Sequence, residues 1–357
     1  MQCTRYLIAR MIEPVEKVDV PEFLDEAAQR VILDVRTPAE FEQGHIPGAS
    51  NMPLFTNEER AEIGTLYKQV SKENAFKRGL ELVGPRLTAY IEQAAQYSPG
   101  KVVGVHCWRG GQRSASIAQL LVYSGFDVKV LRGGYKAFRN YVLRAFSDWD
   151  YKLVVLGGKT GSGKTDILHQ LRSEGEQVLD LEGLAHHKGS AFGALGQEPQ
   201  PSVEHFENEL FSQLKQFDFS RRIWVENESR TIGRIFIPQG FWDKKVSSPL
   251  IHIEVPFEIR VERLMKEYAH FPKEHLMEAL SKIQKRMGPQ HVKAAKEAMA
   301  AGDLKTATEL ALHYYDKAYL MATAKGNFSQ EFHPEFNTND SREIARSLIQ
   351  FANEHEL

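Results

Sequence analysis

Cysteine is scarce: only Cys3 and Cys107 occur in 357 residues. So few cysteines exclude a disulfide framework and suit a reducing compartment. Long apolar runs are missing too. None approaches the ~18 residues that span a bilayer, so no membrane is expected as a partner. The opening MQCTRYLIARMIEP has neither a signal-type apolar core nor a small-residue cleavage site, and a cytoplasmic protein is expected. Charge of one sign is not in excess. The formal net charge of -2 excludes a chain that is basic throughout and leaves room only for a local basic face. Internal repeats and low-complexity segments are absent. What remains is ordinary globular material, 42% hydrophobic and 26% charged. Its length argues for two or three domains.

The stretch VVGVHCWRGGQRS (102–114) concentrates the chemistry. Val102, Val103 and Val105 read as a buried strand that ends at His106 and Cys107. Residues 115–124 have helical spacing and stop at Gly125. Cys107 is therefore expected at a strand end. Its loop (Trp108, Arg109, Gly110, Gly111, Gln112, Arg113) runs into a helix N-terminus. The two glycines let the backbone fold tightly and aim its N–H groups inward. Arg109 and Arg113 add positive charge. Amides, helix dipole and arginines favour an anion in the loop and a thiolate on Cys107. That is a nucleophile over an anion cradle. The plain alternative, an inert core cysteine, needs neither two glycines nor two arginines behind it.

Upstream, residues 30–35 read as a strand. Thr37 can cap a short helix with Pro38 at its first position and Glu40 three residues on. Gly44 ends that helix, and Pro47-Gly48 makes a turn. The run DVRTPAEFEQGHIPGA resembles the N-terminal signature of rhodanese-like domains. The Cys107 loop lies where such domains carry their sulfur-accepting cysteine. GFDVKVLRGG (125–134) resembles their last strand and closing turn. The resemblance implies scaffold roles for Asp34, Arg36 and His45, with Asp34 and Arg36 as an internal ion pair.

Two features depart from compact rhodanese domains. Residues 54–84 form an extra block, read as two helices broken near Gly64 and Ser71. It is either a packing insertion or a basic contact for a large substrate, through Arg60, Lys68, Lys72, Lys77 and Arg78. Second, H-C-x-x-G-x-x-R-S also fits the protein phosphatase signature. Five residues between Cys107 and Arg113 make a cradle wide enough for a phosphate-sized oxyanion. Cell-cycle dual-specificity phosphatases share the rhodanese fold, so the flanking motifs leave that reading open.

Residues 138–149 read as a helix-like connector, and residues 151–156 as a second buried strand. Next come Gly158, Lys159, Thr160, Gly161, Ser162, Gly163, Lys164 and Thr165, which satisfy G-x-x-x-x-G-K-[ST] with a helix following. The amides are expected to wrap a diphosphate. Lys164 would neutralise the outer phosphate, and Thr165 could hold Mg²⁺. The remaining parts of a nucleoside-triphosphate engine are thinner. Residues 222–226 form an apolar strand ending in Glu226, where a Walker B carboxylate could sit. Glu226, Glu228 and Arg230 are candidates for ribose, phosphate or metal contacts. Another strand is expected at 249–255, again without the usual terminal Asp. No water-orienting residue stands out, so the loop could bind a diphosphate without hydrolysing ATP. His186 and His187 are adjacent and point different ways, and no metal site is expected there.

From residue 258 the pattern is helical. Lys282, Lys285, Arg286, Lys293 and Lys296 make a basic run, and Tyr314, Tyr315 and Tyr319 lie on adjacent helical faces. These are either a solvated face and a core stripe or an RNA-backbone surface with aromatic stacking. The expected class is α/β: a rhodanese-like domain with a parallel sheet (1–140), then a connector (141–150) and a P-loop NTPase-like α/β domain (151–256). A helical region (257–357) is packed on that domain or continuous with it.

This order of parts is uncommon: CWRGGQRS on a rhodanese-like domain, a connector, GGKTGSGKT and a helical end. Together with ERAEIGTLYKQ, LDLEGLAHHKGSAFG and ENESRTIG, it resembles the tRNA 2-selenouridine synthase family over nearly the whole chain. The resemblance implies a tRNA-modifying transferase. It replaces the C2 sulfur of a wobble 2-thiouridine with selenium from selenophosphate, by way of geranylation with geranyl diphosphate. Both donors are co-substrates rather than tightly bound cofactors. On that implication the P-loop holds the departing diphosphate, and Cys107 takes up selenium as Cys–S–Se⁻. The implied partners are the tRNA anticodon loop and, as selenium donor, selenophosphate synthetase. The residues alone leave three rivals open. One is an RNA or small-molecule sulfurtransferase fused to an ATP-dependent kinase-like domain. The others are a C-x5-R phosphatase and an RNA-binding module.

Overall fold

The computed structural model describes residues 15–323 and 328–357, and Cys3 lies outside them. The chain divides into two units, one up to Arg144 and one from Ala145. Helix α7 (Gly134–Asp148) runs across that boundary, so the expected connector is largely the end of a helix.

In the first unit β1 (Glu16–Val18), β2 (Val31–Asp34), β3 (Ser50–Asn51), β4 (Val102–His106) and β5 (Asp127–Leu131) form one sheet. Its order is β1-β5-β4-β2-β3, and every pair is parallel. The connections are α1 (Val20–Asp25), α2 (Pro38–Gln43), α3 (Asn57–Gln69), α4 (Lys72–Val83), α5 (Leu87–Tyr97) and α6 (Gln112–Tyr123). Strand β4 is central and covered on both faces, which is why its sequence is a continuous apolar run rather than an alternating one. Val103 and Val105 are fully buried with Leu33, Ile117 and Leu121.

Local signals act as the sequence suggests. Thr37 and Glu40 form a capping box on α2. Helix α6 ends at Tyr123, with Ser124 as its C-cap and Gly125 following at φ +87°. One expectation is corrected in the extra block. Helix α3 passes through Gly64 unbroken, and the break lies at Val70–Ser71. A single helical glycine costs about 1 kcal/mol. The Thr56–Glu59 capping box and the packing of Ile63 on the core outweigh it.

In the second unit β6 (Lys152–Gly158), β7 (Gln177–Leu179), β8 (Arg222–Glu226), β11 (Leu250–Ile253) and β12 (Glu331–Phe332) form a parallel sheet, ordered β12-β11-β6-β8-β7. Strands β9 (Thr231–Ile232) and β10 (Ile235–Phe236) make a separate antiparallel hairpin. The helices are α8 (Lys164–Ser173), α9 (Leu181–Ala185), α10 (Val203–Leu214), α11 (Gln239–Val246), α12 (Phe257–Tyr268), α13 (Lys273–Lys282), α14 (Gln284–Met287), α15 (Pro289–Ala300), α16 (Leu304–Thr323) and α17 (Ser341–Glu354).

The region from 257 onward is not simply a helical tail. After α16 the chain returns to the sheet as β12 beside β11. Helix α17 then buries Ile344, Ala345, Leu348 and Ala352 in the same core as Ile167, Leu168 and Leu171 of α8. Residues 257–323 are therefore an excursion between two neighbouring strands. Among the described residues no helix is long and apolar enough to cross a membrane.

Candidate functional site

Both candidate loops follow a strand flanked on each side, at its carboxyl end, where open α/β sheets place ligands. In the first unit β4 hands over to Cys107. Gly110 has φ +63°, and a Cβ there would lie 2.8 Å from the Leu131 carbonyl. The loop is closed from below by two backbone bonds: Tyr135 N–H donates to Cys107 O and Lys136 N–H to Trp108 O, both at 2.9 Å. Gly134, at φ +61°, lies so close to Cys107 O that any side chain would strike it. The residues after β5 thus build the floor of the loop, a role that their sequence did not reveal. Helix α6 starts at Gly111 with no side-chain cap, so its first N–H groups stay available to an anion.

Cys107 is 3% exposed and packs with the core residues of the sheet. Its Sγ lies 3.2 Å from Ser114 Oγ, which also reaches Gly111 O at 3.1 Å. A reagent must enter the loop to reach the sulfur. Arg109 and Gln112 are exposed. Arg113 differs from expectation. Its Nη1 and Nη2 donate to Glu40 at 2.7 and 3.3 Å, so its charge is already paired. Glu40 also accepts from Thr37 N–H at 3.0 Å. Despite its burial, the Glu40 carboxyl is held below the usual range by Arg113. In sequence Glu40 shows only as a cap; its partner is 73 residues away.

Asp34 and Arg36 are the internal pair that the sequence suggests. Arg36 Nη2 reaches Asp34 Oδ2 at 2.6 Å and Gly44 O at 2.7 Å. Its guanidinium lies 3.7 Å from the Tyr135 ring centroid. His106, directly before Cys107, is fully buried 3.7 Å from Asp34 Oδ2, and burial pushes its pKa down. His45 stacks on Phe41.

In the second unit β6 leads into the glycine-rich loop, and α8 begins at Gly163 (φ +82°) without a side-chain cap. Lys164 Nζ donates to Gly158 O at 3.0 Å, folded back over its own loop. Lys159 instead pairs with Glu254 at 3.0 Å. Ser162 Oγ is buried without a partner. Arg260 braces the loop from outside, donating to Thr160 O at 3.1 Å while paired with Asp316. Arg263 lies against Gly163, leaving no room for a side chain there, and pairs with Asp166. Gly158 N–H donates to Tyr319 OH at 3.2 Å, and that hydroxyl lies 3.1 Å from His252 Nδ1. Burial, with Glu254 opposing, pushes His252 down to about 4.

The acidic side holds a residue that the sequence reading missed. Thr165 Oγ1 donates to Glu182 Oε2 at 3.1 Å, and Glu182 N–H donates to Glu226 Oε1 at 2.7 Å. Burial, and then the charge of Glu228, pushes Glu182 up to about 8. Burial also raises Glu226 well above the carboxylate range, and its Oε2 has no partner. Glu226 thus ends β8 beneath the site, while Glu182 touches the loop. LDLEG carries no motif that marks Glu182; only the fold places it. Glu228 and Arg230 line the cavity over the loop. Arg230 also holds Gln239.

That cavity has a volume of about 1320 Å³. Its floor is the glycine-rich loop, and Leu264, Tyr268, Tyr315, Ala318 and Tyr319 line one wall. Tyr315 and Tyr319 are therefore turned into this cavity. In the basic run, Lys282 pairs with Glu278, Lys293 with Glu297, and Lys296 with Ser281. His186 contacts Pro199 O, and His187 accepts from Gly189 N–H. Among the described residues no group of three or more His, Cys, Asp or Glu is placed to hold a metal ion.

The tRNA 2-selenouridine synthase AAA domain model matches residues 151–347, more than half of the chain. The chain belongs to the tRNA 2-selenouridine synthase family. A rhodanese-like domain model matches residues 19–141 of this family member. A tRNA 2-selenouridine synthase of Nitrosomonas europaea is 39% identical over 251 residues, 68% of this chain and 64% of that protein. The match thus spans somewhat under two thirds of the relative's length. The N-terminal domain of a Clostridium difficile 630 protein described as ATP/GTP binding is 41% identical. It covers 36% of this chain and 98% of that domain at a TM-score of 0.33. TT1252 from Thermus thermophilus is 16% identical, covering 58% of this chain and 98% of its own at a TM-score of 0.30.

Proposed function

We propose that this protein is a tRNA-modifying transferase that exchanges the C2 sulfur of a wobble 2-thiouridine for selenium, in two chemical stages. Family membership supports the tRNA substrate. The observation that carries the two-stage reading is a phosphate-binding loop opening into a cavity with one apolar wall, on one chain with a cysteine in an uncapped anion loop.

A 2-thio sulfur is a poor leaving group. In the first stage it attacks C1 of geranyl diphosphate; a C–S bond forms, the C–O bond breaks, and diphosphate leaves with the electron pair. The amides at the start of α8 and Lys164 stabilise that leaving charge. A Mg²⁺ arriving with the diphosphate would be held by Thr165 and Glu182, and it would supply further charge neutralisation. In the second stage selenium becomes bonded to C2 and geranylthiolate leaves with its electron pair. Cys107 releases the selenium: its thiolate attacks the phosphorus of selenophosphate, the Se–P bond breaks with its electron pair leaving on selenium as hydrogen selenide ion, and water then frees phosphate from the cysteine. That selenide is the nucleophile that takes the place of geranylthiolate at C2. Selenophosphate synthetase is the matching source of the donor, and the cytoplasm is where all these reactants would meet.

The test is nucleoside mass spectrometry of tRNA from cells lacking the protein, rescued with each variant and supplied with selenite. Wild type should restore 2-selenouridine. Cys107→Ala should accumulate S-geranyl-2-thiouridine, and Lys164→Ala should lose both products. Selenouridine that forms without the protein would refute the assignment and favour a sulfurtransferase with an ATP-dependent partner domain.

A further inference from the structure

Geranylation needs a place for a hydrocarbon chain, and the loop that binds its diphosphate offers several directions. We infer that the chain of the diphosphate ester lies along the wall made by α12 and α16: Leu264, Tyr268, Tyr315, Ala318 and Tyr319. The inference rests on the two-stage reading above and adds where its first substrate sits.

Three observations point to this wall. First, it begins at the phosphate loop itself. A Cβ on Gly161 would lie 3.1 Å from Leu264 Cγ, and Gly158 N–H is bonded to Tyr319 OH. A chain leaving a diphosphate in the loop therefore meets these side chains first. Second, the wall is continuous. Tyr315, Ala318 and Tyr319 share one helical face at i, i+3 and i+4. Leu264 and Tyr268 do the same on α12, and Leu264 packs with Leu312 of α16 in a common cluster.

Third, its polar groups are already used. Tyr319 OH is held by Gly158 and lies beside His252. Tyr315 OH accepts from Ala191 N–H at 3.1 Å. The Tyr268 and Tyr315 hydroxyls both meet Ser190. What these five residues present to the cavity is ring and aliphatic carbon. Reading a nucleobase edge takes donors and acceptors, and this wall has spent its own. It suits an apolar chain, whose binding needs only removal of carbon surface from water.

The test uses the full chain and three ligands, inorganic diphosphate, geranyl diphosphate and ATP, titrated by calorimetry. Wild type should bind geranyl diphosphate about tenfold or more tighter than diphosphate, the scale set by burying several methylenes. Ala318→Phe fills the wall and should remove most of that advantage while leaving diphosphate affinity unchanged. Ala318→Leu is the milder version should the larger side chain disturb folding. Lys317→Ala, exposed on the same helix, is the control and should match wild type. If wild type prefers geranyl diphosphate but neither Ala318 variant weakens it, the chain lies elsewhere and only this inference falls. If wild type shows no preference over diphosphate, the geranylation reading itself falls. If the Ala318 variants weaken ATP as much as geranyl diphosphate, the wall is a base-stacking surface and the inference is overturned. Loss of diphosphate binding would make the wall a support of the loop, which also overturns it.

Discussion

Glu182 holds its carboxyl against the Thr165 hydroxyl and keeps its proton up to about pH 8. A carboxyl whose folded pKa is raised binds its proton more tightly in the folded state than in the unfolded chain. The stability this contributes is complete below the ordinary carboxylate pKa and is lost as pH rises through about 8. The second unit should therefore melt at falling temperature between pH 5 and 9. Glu182→Gln should flatten that slope, read by circular dichroism at a series of pH values. Diphosphate affinity measured without Mg²⁺ should show a matching step: an ionised Glu182 with no cation beside it repels the ligand, so wild type weakens through the same range more than the Gln variant does. At the other site, Arg36→Ala leaves Asp34 charged and unpaired in the core. Removing one partner of a buried pair costs about 3–5 kcal/mol, visible as a lowered urea midpoint of the first unit. Equal midpoints for variant and wild type would refute the structural role of the pair.

At the scale of elements, strands and caps follow from local chemistry. The strand from Arg222 to Glu226, the Thr37 capping box and the Gly125 helix stop are all legible because each rests on residues within a few positions. The same holds for the two glycine-rich loops. What sequence does not reveal is who comes to meet them. Glu40 reaching Arg113, Gly134 under Cys107 and Glu182 on Thr165 all join residues from different elements. No spacing rule carries such information. Tyr315 and Tyr319 show the same limit: a helical stripe says which residues share a face, not what the face looks onto. Gly110 gives an element-level prediction. Gly110→Ala forces a side chain into positive φ and against the Leu131 carbonyl. About 1–3 kcal/mol of destabilisation is expected, measured by thermal unfolding, together with weaker phosphate binding at the Cys107 loop.

For the molecule as a whole, the two sheets have separate apolar cores, one around Val103 and Val105 and one around Leu156 and Ile253. Units with their own cores tend to unfold as separate cooperative steps. Calorimetry should show two transitions, with Arg36→Ala moving one and saturating diphosphate raising the other. A single transition moved by both would mean that the units unfold together. The excursion between β11 and β12 has a consequence of a different kind. It departs from and returns to strands that lie side by side in the same sheet, so its length is free of the sheet's geometry. Mutation can lengthen, shorten or recompose these helices wherever they do not touch the phosphate loop; Arg260, Arg263 and Tyr319, which do, are the fixed points. On the inference that the wall of α12 and α16 holds the ester chain, ligand choice and phosphate chemistry become separately heritable, and lineages that use a different chain on the same diphosphate should differ between β11 and β12 before they differ in the loop.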